Sequence, residues 1–122
     1  MTFAEFVNKC YTIQYKQGAP ITEFGDPMDC YGFVWWYYKF FKNIELERNN
    51  VQTFADIKCI KYVKIQIPQT GDVVHLRTND GNYMYHIGLY IDGNIYHFTA
   101  VGLLCKRADR ILNKIKGYYR AV

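Results

Sequence analysis

Three residues stand where their types and spacing could do covalent chemistry: Cys30, His86 and His97. Cys30 follows Asp29, a good N-cap residue, and opens a run of apolar residues, so it falls at the first turn of a predicted helix. A thiol there lies beside unpaired backbone N–H groups and the positive end of the helix dipole, which favours the thiolate, and the same N–H groups can hold an oxyanion when a carbonyl is attacked. Gly32, two residues on, is read as leaving room for a substrate to approach the backbone.

A thiolate needs a base. His86 opens the run His86-Ile87-Gly88-Leu89-Tyr90-Ile91, and His97 lies just beyond Asp92-Gly93, a strong signal for a two-residue hairpin turn. With such a turn, residue 91 pairs with 94, so His86 faces position 99 and His97 faces position 88. Both imidazoles then lie on one sheet face, two residues off register, as suits a base and the group that orients it. Each residue alone has a plainer reading: a cysteine at a helix start is more often buried and inert, and a histidine in a strand is more often a satisfied structural residue. Their conjunction shifts the balance. His75 has no assignable partner; a zinc site on His75, His86 and His97 is conceivable but would leave Cys30 and its aromatic helix unexplained. No metal and no cofactor are expected.

The elements that must position these groups follow from periodicity and punctuation. Thr2-Phe3-Ala4-Glu5 has capping-box spacing, and apolar residues at 3, 6, 7, 10 and 11 predict a helix from 3 to about 13. Gly18-Ala19-Pro20 and Gly25-Asp26-Pro27 mark turns. A second helix runs from 30 to about 42, apolar on nearly all sides, and so belongs in the centre of the fold. Residues 43–64 are the least readable, with a helix expected around 51–60. Strands are expected at 72–77, 83–91, 94–101 and 115–120. Helices followed by an antiparallel meander is an α+β order.

The chain has 122 residues, half of them hydrophobic and 18% aromatic, enough for one core and too few for two ordinary domains, so residues 1–122 read as a single domain. The net charge of +4, with some concentration at Lys106, Arg107, Arg110, Lys114, Lys116 and Arg120, fits an ordinary basic surface, and no nucleic-acid motif accompanies it. The aromatic run from 33 to 41 falls far short of the ~20 apolar residues of a membrane span. No secretory signal is legible, so a cytoplasmic origin is expected, with Cys10, Cys30, Cys59 and Cys105 as free thiols. Cys10, Cys59 and Cys105 read as small buried hydrophobes.

These residues resemble the NlpC/P60 cysteine peptidases. The family's nucleophile motif, Asp-Cys-Ser-Gly-Phe-Val, is matched by Asp29-Cys30-Tyr31-Gly32-Phe33-Val34, its Gly-Asp-Val/Leu-Val strand start by Gly71-Asp72-Val73-Val74, and its His-Val-Gly-Ile-Tyr motif by His86-Ile87-Gly88-Leu89-Tyr90. The resemblance covers roughly residues 11 to 105. It implies a compact papain-like α+β fold, with the nucleophile at the N-terminus of a central helix packed on an antiparallel sheet. It implies Cys30 as nucleophile, His86 as general base and His97 as third polar member. Asp29 and Gly32 fall in the nucleophile motif and are carried as oxyanion or substrate residues with Tyr15, whose Tyr15-Lys16-Gln17-Gly18 aligns with the family's Tyr-x-x-Gly-Gly except for Ala19.

Tyr31 in place of the usual Ser, and the ending Lys116-Gly117-Tyr118-Tyr119-Arg120, resemble the branch found in bacteriophage tail-assembly proteins. The function implied is hydrolysis of amide bonds in peptidoglycan stem or cross-link peptides by a tail component assembled in the host cytoplasm and carried in the virion. Peptidoglycan peptide and other tail-tip proteins are the implied partners. A tail-tip assembly module of the same fold, with weak or no hydrolysis, is the alternative; an amidase or acyltransferase acting on a lipid or small amide would share the machinery.

Overall fold

A computed structural model describes residues 1–48, 62–77 and 86–121. The expected helix at 51–60, residues 83–85 of an expected strand, and Cys59 lie outside the described residues. The first helix, α1 (Phe3–Cys10), starts at the expected capping box: Thr2 Oγ1 accepts the Glu5 N–H at 3.1 Å and Glu5 Oε1 accepts the Thr2 N–H at 2.9 Å. It ends three residues short of expectation. The Thr12 hydroxyl turns back to the Lys9 carbonyl at 2.7 Å, and residues 14–16 are drawn into extended pairing with Met28.

The second helix, α2 (Cys30–Tyr37), continues as a π-helical turn over Tyr38–Lys42 and is closed by Asn43 in the left-handed region at φ 53°. Seven of its residues, Cys30 to Trp35 and Tyr37, are buried, as its lack of a polar face demands. Tyr31 is wholly buried, and its hydroxyl reaches the Glu47 carbonyl at 2.5 Å. Trp35 Nε1 donates to the Leu46 carbonyl at 2.8 Å.

Among the described residues six strands form one antiparallel sheet: β1 (Tyr62–Ile65), β2 (Val73–Leu76), β3 (His86–Ile91), β4 (Asn94–Thr99), β5 (Gly102–Arg107) and β6 (Ile115–Ala121), in the order β1-β6-β2-β3-β4-β5. The fold is α+β, as expected. The β3–β4 register is also as expected: Ile91 pairs with Asn94 and Leu89 with Tyr96, across a turn in which Asp92 and Gly93 both have positive φ, 48° and 86°. Strands β1 and β5 were not anticipated. Both are sheet edges, and β5 carries Lys106 and Arg107 on a largely exposed stretch without the alternation that marks a half-buried strand.

The two faces of the sheet do different work. Val73, Ile87, Leu89, Phe98, Leu103 and Tyr119 face the helices and join Phe6, Phe33, Val34 and Trp35 in the main core. Val74, Leu76 and Ile95 form a smaller cluster on the reverse face, covered by Tyr90, Ile111, Ile115 and Tyr118. The start of β2 is tied to β6 by a forked ion pair. Arg120 Nε and Nη2 donate to the two oxygens of Asp72 at 2.7 and 2.8 Å, and Asp72 is 2% exposed.

Candidate active site

Cys30 is the first residue of α2 and only 3% exposed. The backbone N–H groups of Ile87, Tyr31 and Cys30 itself act on its thiol and pull its pKa down. They favour the thiolate, as the helix start was expected to do. Burial nonetheless dominates, and with the nearby charge of Asp29 it pushes the thiol up to about 12. The expected helix-start thiolate is therefore corrected: in this closed arrangement the group is a neutral thiol, because desolvation outweighs what the dipole and the N–H groups supply.

The two histidines meet directly. His86 Nε2 and His97 Nδ1 are 2.7 Å apart, with ring centroids 5.0 Å apart and planes inclined by 69°. The register explains the meeting. His86 pairs with Leu76, and Gly88, next on the same face, lies against His97. A Cβ on Gly88 would come 2.5 Å from the Tyr96 carbonyl oxygen and 2.9 Å from His97 Cβ, so the glycine is what lets His97 sit beside His86. Burial first, then the charge of His75, lowers His86 to about 4. His97 is lowered to about 4 by burial, then by His86, Lys106 and Lys114. Both imidazoles are neutral at neutral pH.

The dyad shares a face with Leu76 and Ile95, whereas α2 packs on the face of Ile87 and Leu89. Thiol and dyad thus meet at the start of β3 rather than across one face. With Nε2 of His86 engaged by His97, its other ring nitrogen is Nδ1, the one nearer its own main chain. The Cys30 thiol approaches that main chain one residue on, at Ile87. Among the described residues, the groups that favour the thiolate are these backbone N–H groups.

The remaining predicted residues are brought to the start of α2 in different roles. Asp29, 2% exposed, accepts the Gly32 N–H at 3.0 Å on one oxygen and the Gly18 N–H at 3.1 Å on the other. Both oxygens point into the protein, so its contribution is a helix cap and a strut to the Tyr15–Gly18 loop, not a substrate contact. Gly32 also differs from expectation: a Cβ there would lie 2.7 Å from Met28 Cβ, so Met28 fills the space proposed for substrate. Tyr15 is held beside Met28 by the Lys16 N–H to Met28 carbonyl bond at 2.9 Å and the Met28 N–H to Gln14 carbonyl bond at 3.1 Å. Its ring tilts against Phe98 at 5.9 Å, and its hydroxyl bonds to Gln17 Oε1. His75, 9% exposed, lies opposite Ile87.

Sequence reasoning missed Gly88, Gly18 and the Ile87 N–H. The signal for Gly88 was present in the register arithmetic, which set His97 opposite a residue without a side chain. Among the described residues, no three His, Cys, Asp or Glu side chains converge to hold a metal ion, and no helix is long and apolar enough to cross a membrane.

A cysteine at the start of a buried helix that packs on an antiparallel sheet carrying a hydrogen-bonded imidazole pair defines an α+β protein with the components of a thiol-nucleophile site. Within that class, the sequence profile of the NlpC/P60 family matches residues 12–106, and the chain belongs to this family. Its members are generally cysteine peptidases or amidases. A search of the curated proteins found no match.

Proposed function

We propose that the protein hydrolyses amide bonds in peptidoglycan stem or cross-link peptides by acyl transfer through Cys30. The observation that carries this reading is the 2.7 Å bond from His86 Nε2 to His97 Nδ1, which fixes the His86 ring next to Ile87, the residue whose backbone N–H acts on the Cys30 thiol. Cys30 Sγ attacks the scissile carbonyl carbon while His86 Nδ1 takes the thiol proton. The oxyanion is held by the Cys30 backbone N–H, with Tyr15 at the border of the site. The imidazolium then protonates the leaving amine, and the acyl group remains as a thioester. His86 next deprotonates a water that attacks the thioester, and the thiol is regenerated. His97 orients the ring throughout and shares its transient charge. Because thiol and imidazoles rest neutral, proton transfer accompanies attack rather than preceding it as a standing ion pair.

The setting we propose is a bacteriophage tail, on the resemblance of Tyr31 and Lys116–Arg120 to that branch. Burial of Tyr31, with its hydroxyl on the Glu47 carbonyl, supports a variant core rather than an altered catalytic pocket. A second reading, a tail-tip assembly module with weak hydrolysis, is favoured by the 3% exposure of Cys30 and its raised thiol. Digestion of purified peptidoglycan followed by mass spectrometry separates the two. Hydrolysis releases stem-peptide fragments with the wild-type protein and none with Cys30→Ala. No release from any wall type by the wild-type protein overturns the hydrolase reading in favour of assembly.

A further inference from the structure

Among the described residues, the charges acting on His97 besides its partner His86 are both cationic, Lys106 and Lys114. Lys106 lies in β5 opposite Ile95, and His97 lies opposite Leu104, so Lys106 projects from the dyad's own face one residue pair away. Lys114 comes from the other side. Its carbonyl accepts the Arg77 N–H at 2.7 Å, and the next residue, Ile115, pairs with Leu76, itself the partner of His86. Among the described residues neither lysine has a carboxylate partner; the basic residue between them on the chain that does, Arg107, is paired with Asp109 at 2.6 Å. Lys106 is exposed and Lys114 half-buried. Two unneutralised ammonium groups thus flank a site that must itself carry a positive charge when His86 accepts the thiol proton. Left alone they oppose that step.

We propose that Lys106 and Lys114 form an anion-recognition pair and that the substrate presents a carboxylate to them, beside the scissile amide. This deepens the hydrolase reading and rests on it. A bound carboxylate would do two things. It would select acidic peptides over neutral ones, and it would offset the two cations that disfavour an imidazolium on the dyad, so that base strength rises when the correct substrate is seated. Among the described residues, the charged groups bearing on the dyad are then His75 on His86 and the two lysines on His97, with the substrate's anion placed between the lysines.

The test uses two forms of one stem tetrapeptide, with free carboxylates and with those carboxylates converted to carboxamides. Binding to the Cys30→Ala protein is followed by NMR of the His86 and His97 rings, and hydrolysis by the otherwise native protein is measured in parallel. The acid form should bind about 3- to 10-fold more tightly and shift the His97 titration upward. In Lys106→Gln/Lys114→Gln the acid-to-amide ratio should fall to about 1, the worth of two partly exposed ion pairs being lost. Lys9→Gln/Lys39→Gln, which removes the same charge elsewhere, should retain the preference. Equal binding of both forms, no binding of either, or a preference that survives in Lys106→Gln/Lys114→Gln overturns the proposal. Preferential binding of the acid form without hydrolysis of either form would instead overturn the hydrolase reading and leave the anion site standing.

Discussion

Gly88→Ala isolates the contact on which the imidazole pair depends. Gly88 is not among the glycines with positive φ, so alanine adds no backbone strain and its effect is steric. The added Cβ would lie 2.5 Å from the Tyr96 carbonyl oxygen and 2.9 Å from His97 Cβ. The first neighbour is backbone within the β3–β4 ladder, where Leu89 pairs with Tyr96, and so cannot swing aside. Relief requires the strands to part or His97 to move. Overpacking of this kind costs about 2–3 kcal/mol, the upper part of the usual range. For a domain of this length that is a fall of roughly 6–15 °C in melting temperature. Moving His97 also breaks the 2.7 Å bond to His86, and loss of ring orientation should slow hydrolysis about 100-fold. Urea denaturation followed by circular dichroism gives the first quantity and the rate of peptidoglycan digestion the second. Gly93→Ala is the control: no atom lies within 4 Å of its added Cβ, and its φ of 86° predicts a backbone cost of about 1 kcal/mol with hydrolysis retained. A Gly88→Ala protein with the wild-type midpoint and rate would refute the role given to this glycine.

Asp29→Ala removes the cap of α2 and the strut to Gly18, and should cost about 1–2 kcal/mol in urea denaturation while lowering hydrolysis, because the Tyr15 loop is freed from the helix start. Since His86 and His97 are lowered from 6.5 to about 4, the unfolded chain binds more protons than the folded one between those values, so stability should be lost as pH falls through that window. At ~1.4 kcal/mol per pH unit the loss approaches roughly 3 kcal/mol for each imidazole, read as the urea midpoint against pH; a flat profile from pH 7 to 4 contradicts their burial as neutral rings. For Cys30, raised from 9.0 to about 12, iodoacetamide labelling should be slow at pH 7 and still climb about tenfold per pH unit beyond pH 9 without levelling off, with exposed Cys105 as the internal reference. Rapid labelling of Cys30 at pH 7 contradicts a neutral, closed thiol.

What could be read from the chain was what local rules govern. The capping box, the Asp29 cap and the Asp92-Gly93 turn act within a few residues, and the hairpin turn alone was enough to put His97 opposite Gly88. The edge strands β1 and β5 escaped because an edge has one neighbour and little alternation. Two readings at the site depend on tertiary structure that local rules do not reach. The room ascribed to Gly32 depends on where Met28 turns, and the ionisation ascribed to Cys30 depends on how much of the fold covers it. Helix position favours a thiolate, but the desolvation that overrides it is tertiary. Asp29 was read both as a cap and as a substrate contact, and its two backbone bonds leave it the first role.

The most direct measurement is intact mass spectrometry of the protein quenched with acid during turnover of a stem peptide. Acyl transfer through Cys30 predicts an adduct with the mass of the N-terminal side of the cleaved peptide, located by digestion on the fragment containing Cys30 and absent from Cys30→Ala. Fragment release without any adduct, or release that persists in Cys30→Ala, would contradict covalent catalysis at this cysteine.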